Sequence, residues 1–202
     1  MSTVDINAPT CIGPDSNGMP MTPAEFDAIE DWDDNSRYEL VRGVLIVVPP
    51  PGYGELKPNE VLAHWLLSYQ EDHPKGGILD DTCNEVTVQT STGRRRADRA
   101  IWCGLGRDPD FREDVPTIAI EFVAERKRDW RRDHIEKRAE YDEAGVKEYW
   151  VIDRFRRIMT VYRGTDEERI VKENETYTTD LLPGFELPLQ RLMEIADRCS
   201  KS

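Results

Sequence analysis

The sequence predicts an α/β fold built on a mixed β-sheet flanked by α-helices, and three observations carry that prediction. Strand-like and helical stretches alternate in the order α-ββ-α-β-β-β-α-β-β-α, a pattern that belongs to α/β architectures. Several of the strand-like runs are joined by hairpin-length turns, which pairs them antiparallel. The run Thr117-Ile118-Ala119-Ile120-Glu121-Phe122-Val123 is apolar on both alternating faces apart from one acid, as expected of a strand buried inside a sheet.

Each element follows from local signals. Residues 1–20 are rich in Pro, Gly, Asn and Ser and read as a flexible leader; residues 21–198 read as a single domain. Thr22 can cap a helix, with Pro23 at its first position and Glu25 closing a capping box, and this helix is predicted to reach about residue 31. Residues 38–48 read as a hairpin turning at Arg42-Gly43 and ended by three prolines. A helix over 59–70 gathers Val61, Leu62, Trp65, Leu66 and Tyr69 on one face. Strands are predicted at 85–90 and 96–103, joined across Ser91-Thr92-Gly93. Pro116 introduces the Glu121 strand. A helix from about 129 to 144 is stopped by Gly145. Strands at 148–153 and 157–163 pair with each other. A short strand near Thr176 and a helix near 189–198 complete the chain.

Composition narrows the function classes. With 202 residues, 38% hydrophobic and 33% charged, the chain can bury a sizeable core. No stretch approaches the roughly 20 apolar residues of a membrane span. The N-terminus has neither the basic start nor the apolar core of a secretory signal, so the cytoplasm is the expected location. Cys11, Cys83, Cys103 and Cys199 form no close pair of zinc-ligand spacing. Cys83 and Cys103 are expected to be reduced and buried. A net charge of −13 opposes nucleic-acid binding, but its distribution does not. Residues 94–163 hold 18 Lys/Arg against 15 Asp/Glu, leaving 9 against 25 elsewhere. A basic middle permits one phosphate-facing surface.

The chemistry-bearing residues start from Glu121. Ile118, Ile120 and Phe122 should face one side of the strand, and Ala119, Glu121 and Val123 the other. A buried carboxylate needs a basic partner, a hydrogen-bond network or a cation. Taken alone, Glu121 is satisfied by a salt bridge to a neighbouring arginine. Asp98 adds a second acid on a strand expected beside it. Two converging carboxylates repel unless a cation sits between them, and Mg²⁺ suits few carboxylates plus waters. The rival reading pairs Asp98 with Arg96 or Arg99. Asp133, Lys137 and Tyr141 lie one turn apart on the next helix. Lys137 is then either part of a solvated face or an amine beside the cation, and Tyr141 reads as packing. Glu39 is a fourth candidate; Glu85 and Gln89 fall near the same edge.

Tyr38-Glu39-Leu40-Val41-Arg42-Gly43, the Asp98 strand, Ile120-Glu121-Phe122-Val123 and the segment Lys137-Arg138-Ala139-Glu140-Tyr141 through Glu148-Tyr149-Trp150-Val151-Ile152-Asp153 come in a familiar order. The chain resembles the Uma-type restriction endonuclease family of the PD-(D/E)XK nuclease superfamily, over about residues 20–195. The resemblance implies a restriction endonuclease-like core and a Mg²⁺ site, with Mn²⁺ as a substitute, made by Asp98, Glu121 and the Phe122 carbonyl. It matches Glu39 to an acid from the early part of the fold. The motif's usual lysine position holds Val123, and the resemblance transfers that role to Lys137 on the following helix. Ala97 stands where the motif has proline, and Ala124 where relatives often have serine.

The implied activity is metal-dependent endonuclease hydrolysis of DNA, with Arg94 to Arg99 and Arg126 to Arg132 tracking the backbone and a homodimer suited to duplex DNA. The alternative is a catalytically silent nuclease fold that binds DNA or protein. The −13 charge, Ala124 and the missing in-motif lysine motivate it.

Overall fold

In the computed structural model, the Arg42-Gly43 dipeptide makes the predicted hairpin turn. Both residues take positive φ, 51° and 78°, which is the type I′ geometry that matches strand twist. It joins β1 (Arg37–Val41) to β2 (Val44–Val48) antiparallel. The structure describes residues 12–123 and 132–199. These fall into two units, Met1–Pro50 with Thr92–Arg94, and Pro51–Ser91 with Arg95–Ser202.

In the first unit, Thr22 caps α1 (Pro23–Asp27). Its hydroxyl accepts the Glu25 amide at 3.2 Å, and Glu25 accepts the Thr22 amide at 2.7 Å. The helix is one turn shorter than predicted. The chain turns back after Ala28, so that the Trp32 indole donates to the Ile29 carbonyl at 3.1 Å and the Trp32 main chain bridges Ile12. The rings of Phe26, Trp32 and Tyr38 then meet in series, tilted, with centroids 5.0 and 4.4 Å apart. Residues 1–11 of the expected leader, Cys11 among them, lie outside the described residues. From Ile12 on, the segment is packed rather than loose: Ile12 is buried and Pro20 bridges Val44. Leu40 pairs with Arg94, at the start of β4 (Gly93–Cys103). Gly93 makes this approach possible, because a Cβ there would lie 1.9 Å from the Leu40 carbonyl oxygen.

In the second unit the sheet runs β3-β4-β5-β6-β7-β8. Its strands are β3 (Leu79–Thr90), β5 (Ile118–Phe122), β6 (Glu148–Asp153), β7 (Ile158–Arg163) and β8 (Glu167–Lys172), with β4 continuing from Arg95. β5 and β6 are parallel and their outer neighbours antiparallel, so the sheet is mixed as predicted. The β3–β4 hairpin is longer than predicted. β8 was not expected: only Val171 of its six residues is buried, so an edge strand gives no alternating pattern to read. A small sheet pairs β9 (Thr176–Tyr177) with β10 (Leu187–Pro188).

The two faces of β5 divide as its alternation predicts. Ile118, Ile120 and Phe122 pack with Leu62, Leu66 and Tyr69 of α2 (Tyr53–Asp72) and with Leu189, Leu192 and Met193 of α4 (Leu189–Cys199). Leu62 and Leu66 are fully buried, each contributing about 1.5–3 kcal/mol. α2 begins six residues before the predicted start and runs through Pro58, which removes only one main-chain hydrogen bond, to the Gly54 carbonyl. On the other face, Ala119 and Val123 pack with Tyr141 of α3 (Lys137–Ala144), Tyr149, Val151 and Tyr162. A π-helical turn, Arg132–Glu136, leads into α3, and Gly145 ends it at φ 102°. Glu148 is buried at the head of β6. It accepts hydrogen bonds from Trp150, Tyr177, Thr179 and Arg163 at 2.7–2.9 Å.

Candidate active site

The β4–β5 ladder stops at the pair Arg99 and Ile120. Asp98 and Glu121 are the next residues outward on the two strands, and there the ladder gives way to side-chain bonds. The Phe122 amide donates to Asp98 Oδ2 at 2.7 Å. The Lys137 ammonium enters from α3 and donates to the Arg96 carbonyl at 2.8 Å and to Glu121 Oε1 at 2.7 Å. Tyr141, one turn further along α3, donates to the same Glu121 oxygen at 3.3 Å. The side chains of Lys137 and Glu121 are 1% and 5% exposed, so their charges meet almost out of water.

Asp98, Glu121 and Lys137 are therefore gathered at one fork, as the sequence predicts, and the Phe122 main chain joins them. Tyr141 takes a part in the cluster beyond packing. Glu39 is a buried residue of β1 in the first unit. Glu85 pairs with Arg96 at 2.7 Å, and Gln89 donates to the Arg112 carbonyl. Ala124 and residues 126–131 of the second arginine-rich stretch lie outside the described residues, and the side chains of Arg132 and Asp133 are likewise not described.

The arginines of the first arginine-rich stretch are each engaged within the protein. Arg94 pairs with Asp27 at 2.6 Å, Arg95 is buried against Glu140, Arg96 pairs with Glu85, and Arg99 is buried against Asn59. These guanidiniums serve the fold. Burial also pulls Arg99 down to about 10, which still leaves it charged at neutral pH.

One contributor escaped the sequence reading. Asn59 of α2 donates to the Asp98 carbonyl at 2.9 Å and accepts from Arg99 Nε at 2.6 Å, while Arg99 Nη1 reaches Thr82 at 3.0 Å. It pins the strand at the residue that carries the first acid. The signal was available: Asn59 continues the stripe Leu62, Leu66, Tyr69 at helical spacing, so a polar side chain there had to find a buried partner.

The donor set fits a small hard cation. Among the described residues no three His, Cys, Asp or Glu side chains cluster as a metal cage. Two carboxylates and a main-chain carbonyl are hard oxygen donors, the kind Mg²⁺ accepts while retaining waters.

The sequence profile of the Uma2 family, described as "putative restriction endonuclease", matches residues 23–190. The chain is a member of the Uma2 family. A solved structure described as a putative nuclease belonging to DUF820, from Anabaena variabilis ATCC 29413, is similar to it. The TM-score is 0.71 at 14% identity, over 88% of this chain and 99% of that one. The Uma2 chain thus has the restriction endonuclease-like fold expected from its sequence. No curated protein matches it. No helix among its described residues is long and apolar enough to cross a membrane.

Proposed function

We propose that this Uma2 protein is a metal-dependent endonuclease that hydrolyses DNA phosphodiester bonds. The carrying observation is the meeting of Asp98, Glu121 and Lys137 where β4 and β5 part, in a family whose description reads "putative restriction endonuclease". Asp98, Glu121 and the Phe122 carbonyl would hold Mg²⁺, with Mn²⁺ able to replace it. The bound cation supplies Lewis acidity toward the phosphate and lowers the pKa of a coordinated water.

The chain's own residues supply the rest. The Phe122 amide fixes the orientation of the Asp98 carboxylate, and Tyr141 does the same for Glu121. Lys137, anchored on the Arg96 carbonyl, holds a positive charge against Glu121. There it orients the attacking water or offsets negative charge building on the phosphate. Glu39 is the further acid that the family likeness implies from the early part of the fold. The proposal includes a cytoplasmic homodimer, because two sites related by a two-fold axis match the two strands of a duplex.

Nicking of supercoiled plasmid with Mg²⁺ or Mn²⁺, by wild type, Glu121→Ala and Lys137→Ala, tests the reading. Wild type nicks and both variants lose at least about a hundredfold, the scale of one transition-state contact. Equal nicking by all three removes the assignment. A second reading has one observation in its favour. Glu121 and Lys137 satisfy each other at 2.7 Å, as they would in a nuclease fold kept only for binding DNA or protein. That reading expects association without cleavage, unaltered in Glu121→Ala.

A further inference from the structure

Lys137 differs from its neighbours in how it reaches the fork. Asp98 and Glu121 are placed by the strands that carry them, whereas Lys137 comes from the first turn of an eight-residue helix entered through a π-helical turn. A flexible four-carbon stem on so short a helix does not set its own position to the sub-ångström tolerance of a reacting centre.

The structure has a device that does. Arg95, on β4 beside the carbonyl that holds Lys137, is 1% exposed. Its guanidinium grips Glu140 of α3 at two points, Nε to Oε2 and Nη2 to Oε1, the latter at 2.9 Å. Nη2 also lies 3.7 Å from Glu136 Oε2. Adjacent residues of one strand, Arg95 and Arg96, therefore hold adjacent stations of one helix face, Glu136, Lys137, Glu140 and Tyr141. A two-point guanidinium–carboxylate contact fixes rotation as well as distance, which a point charge cannot. At 1% exposure Arg95 does not reach a phosphate backbone, so contact with DNA does not account for it.

We propose that Arg95, through Glu140, is the positioning residue for Lys137: the pair sets the rotation and height of α3 on β4, and with them the place of the ammonium. The inference rests on the reading of Lys137 as the catalytic amine.

The test uses Glu140→Gln, which keeps the shape but removes the charge, and Arg95→Lys, which keeps a buried cation but loses the fork. The second variant also guards against a first that does not fold. Two quantities are measured well below the melting temperature: kcat and KM for plasmid nicking, and the acetylation rate of each lysine with acetic anhydride. In both variants kcat falls at least about tenfold with KM within about twofold. Acetylation of Lys137 rises about tenfold, while that of Lys57, 53% exposed in the wild type, does not change. Folded variants with wild-type kcat and a Lys137 still protected overturn the proposal, and so does a raised KM at unchanged kcat. A wild type that cuts no DNA removes the nuclease reading alone, since the acetylation arm still decides whether Arg95 and Glu140 place Lys137.

Discussion

Replacing Lys137 by Met separates a cation site from an ordinary buried salt bridge. Met keeps the stem and volume but deletes the ammonium, leaving Glu121, whose side chain is 5% exposed, without the charge now 2.7 Å from it. Breaking a buried ion pair from one side costs about 3–5 kcal/mol. For a chain of this size each kcal/mol shifts Tm by roughly 2–4 °C, so Tm without divalent metal should fall by about 6–20 °C. The deletion also leaves two carboxylates facing each other, which strengthens the attraction for a divalent ion. Mn²⁺ at about a hundred times its Kd returns about 2.7 kcal/mol, or roughly 5–11 °C. The assay is thermal melting with and without Mn²⁺ for wild type, Lys137→Met and Glu121→Ala. The Mn²⁺ shift should be largest in Lys137→Met, smaller in wild type and absent in Glu121→Ala. A large Tm loss in Lys137→Met with no response to Mn²⁺ would mean that the pair is structural only, and the reasoning fails.

Other expectations follow from the same geometry. Asn59→Leu strands Arg99 Nε and the Asp98 carbonyl and should cost about 2–4 kcal/mol, read by urea unfolding; a cost under about 0.5 kcal/mol denies it a role in holding the strand. Gly93→Ala puts a methyl 1.9 Å from the Leu40 carbonyl and should cost about 3 kcal/mol or more, measured in the same way. Burial lowers His134 from 6.5. A base depressed in the folded state contributes stability that is fully present above pH 6.5 and drains away as pH falls through the folded value. His134→Gln should therefore flatten the loss of stability on acidification below pH 6.5, as followed by denaturant midpoints. Burial raises the Cys103 thiol to about 12, so iodoacetamide at pH 8 should leave it unmodified.

Much of the candidate site was legible because its signal is local. Alternation along β5 put Glu121 on the face opposite Ile118, Ile120 and Phe122, and the structure keeps that division. The i, i+4 spacing of Lys137 and Tyr141 put both on one helix face, and both reach Glu121. What stayed hidden depends on distant partners. Arg95 and Glu140 are 45 residues apart, and nothing in either's neighbourhood says that the two will meet. The acid or amide that each arginine at 94–99 meets is likewise set by the fold. Composition set the −13 background but not this pairing. Cys83 and Cys103 are free but half-buried, not fully buried. β8 was missed because an edge strand with exposed Glu167, Glu168 and Arg169 has no apolar face to announce it.

The most direct measurement of the central claim is the single-turnover rate of plasmid nicking against Mg²⁺ concentration, for wild type and Asp98→Asn, with a chelated control. The account predicts a rate that saturates with Mg²⁺ in the wild type, vanishes on chelation, and shows no saturable phase in Asp98→Asn. A wild-type rate indifferent to chelation, or an Asp98→Asn curve that superimposes on it, would contradict the account.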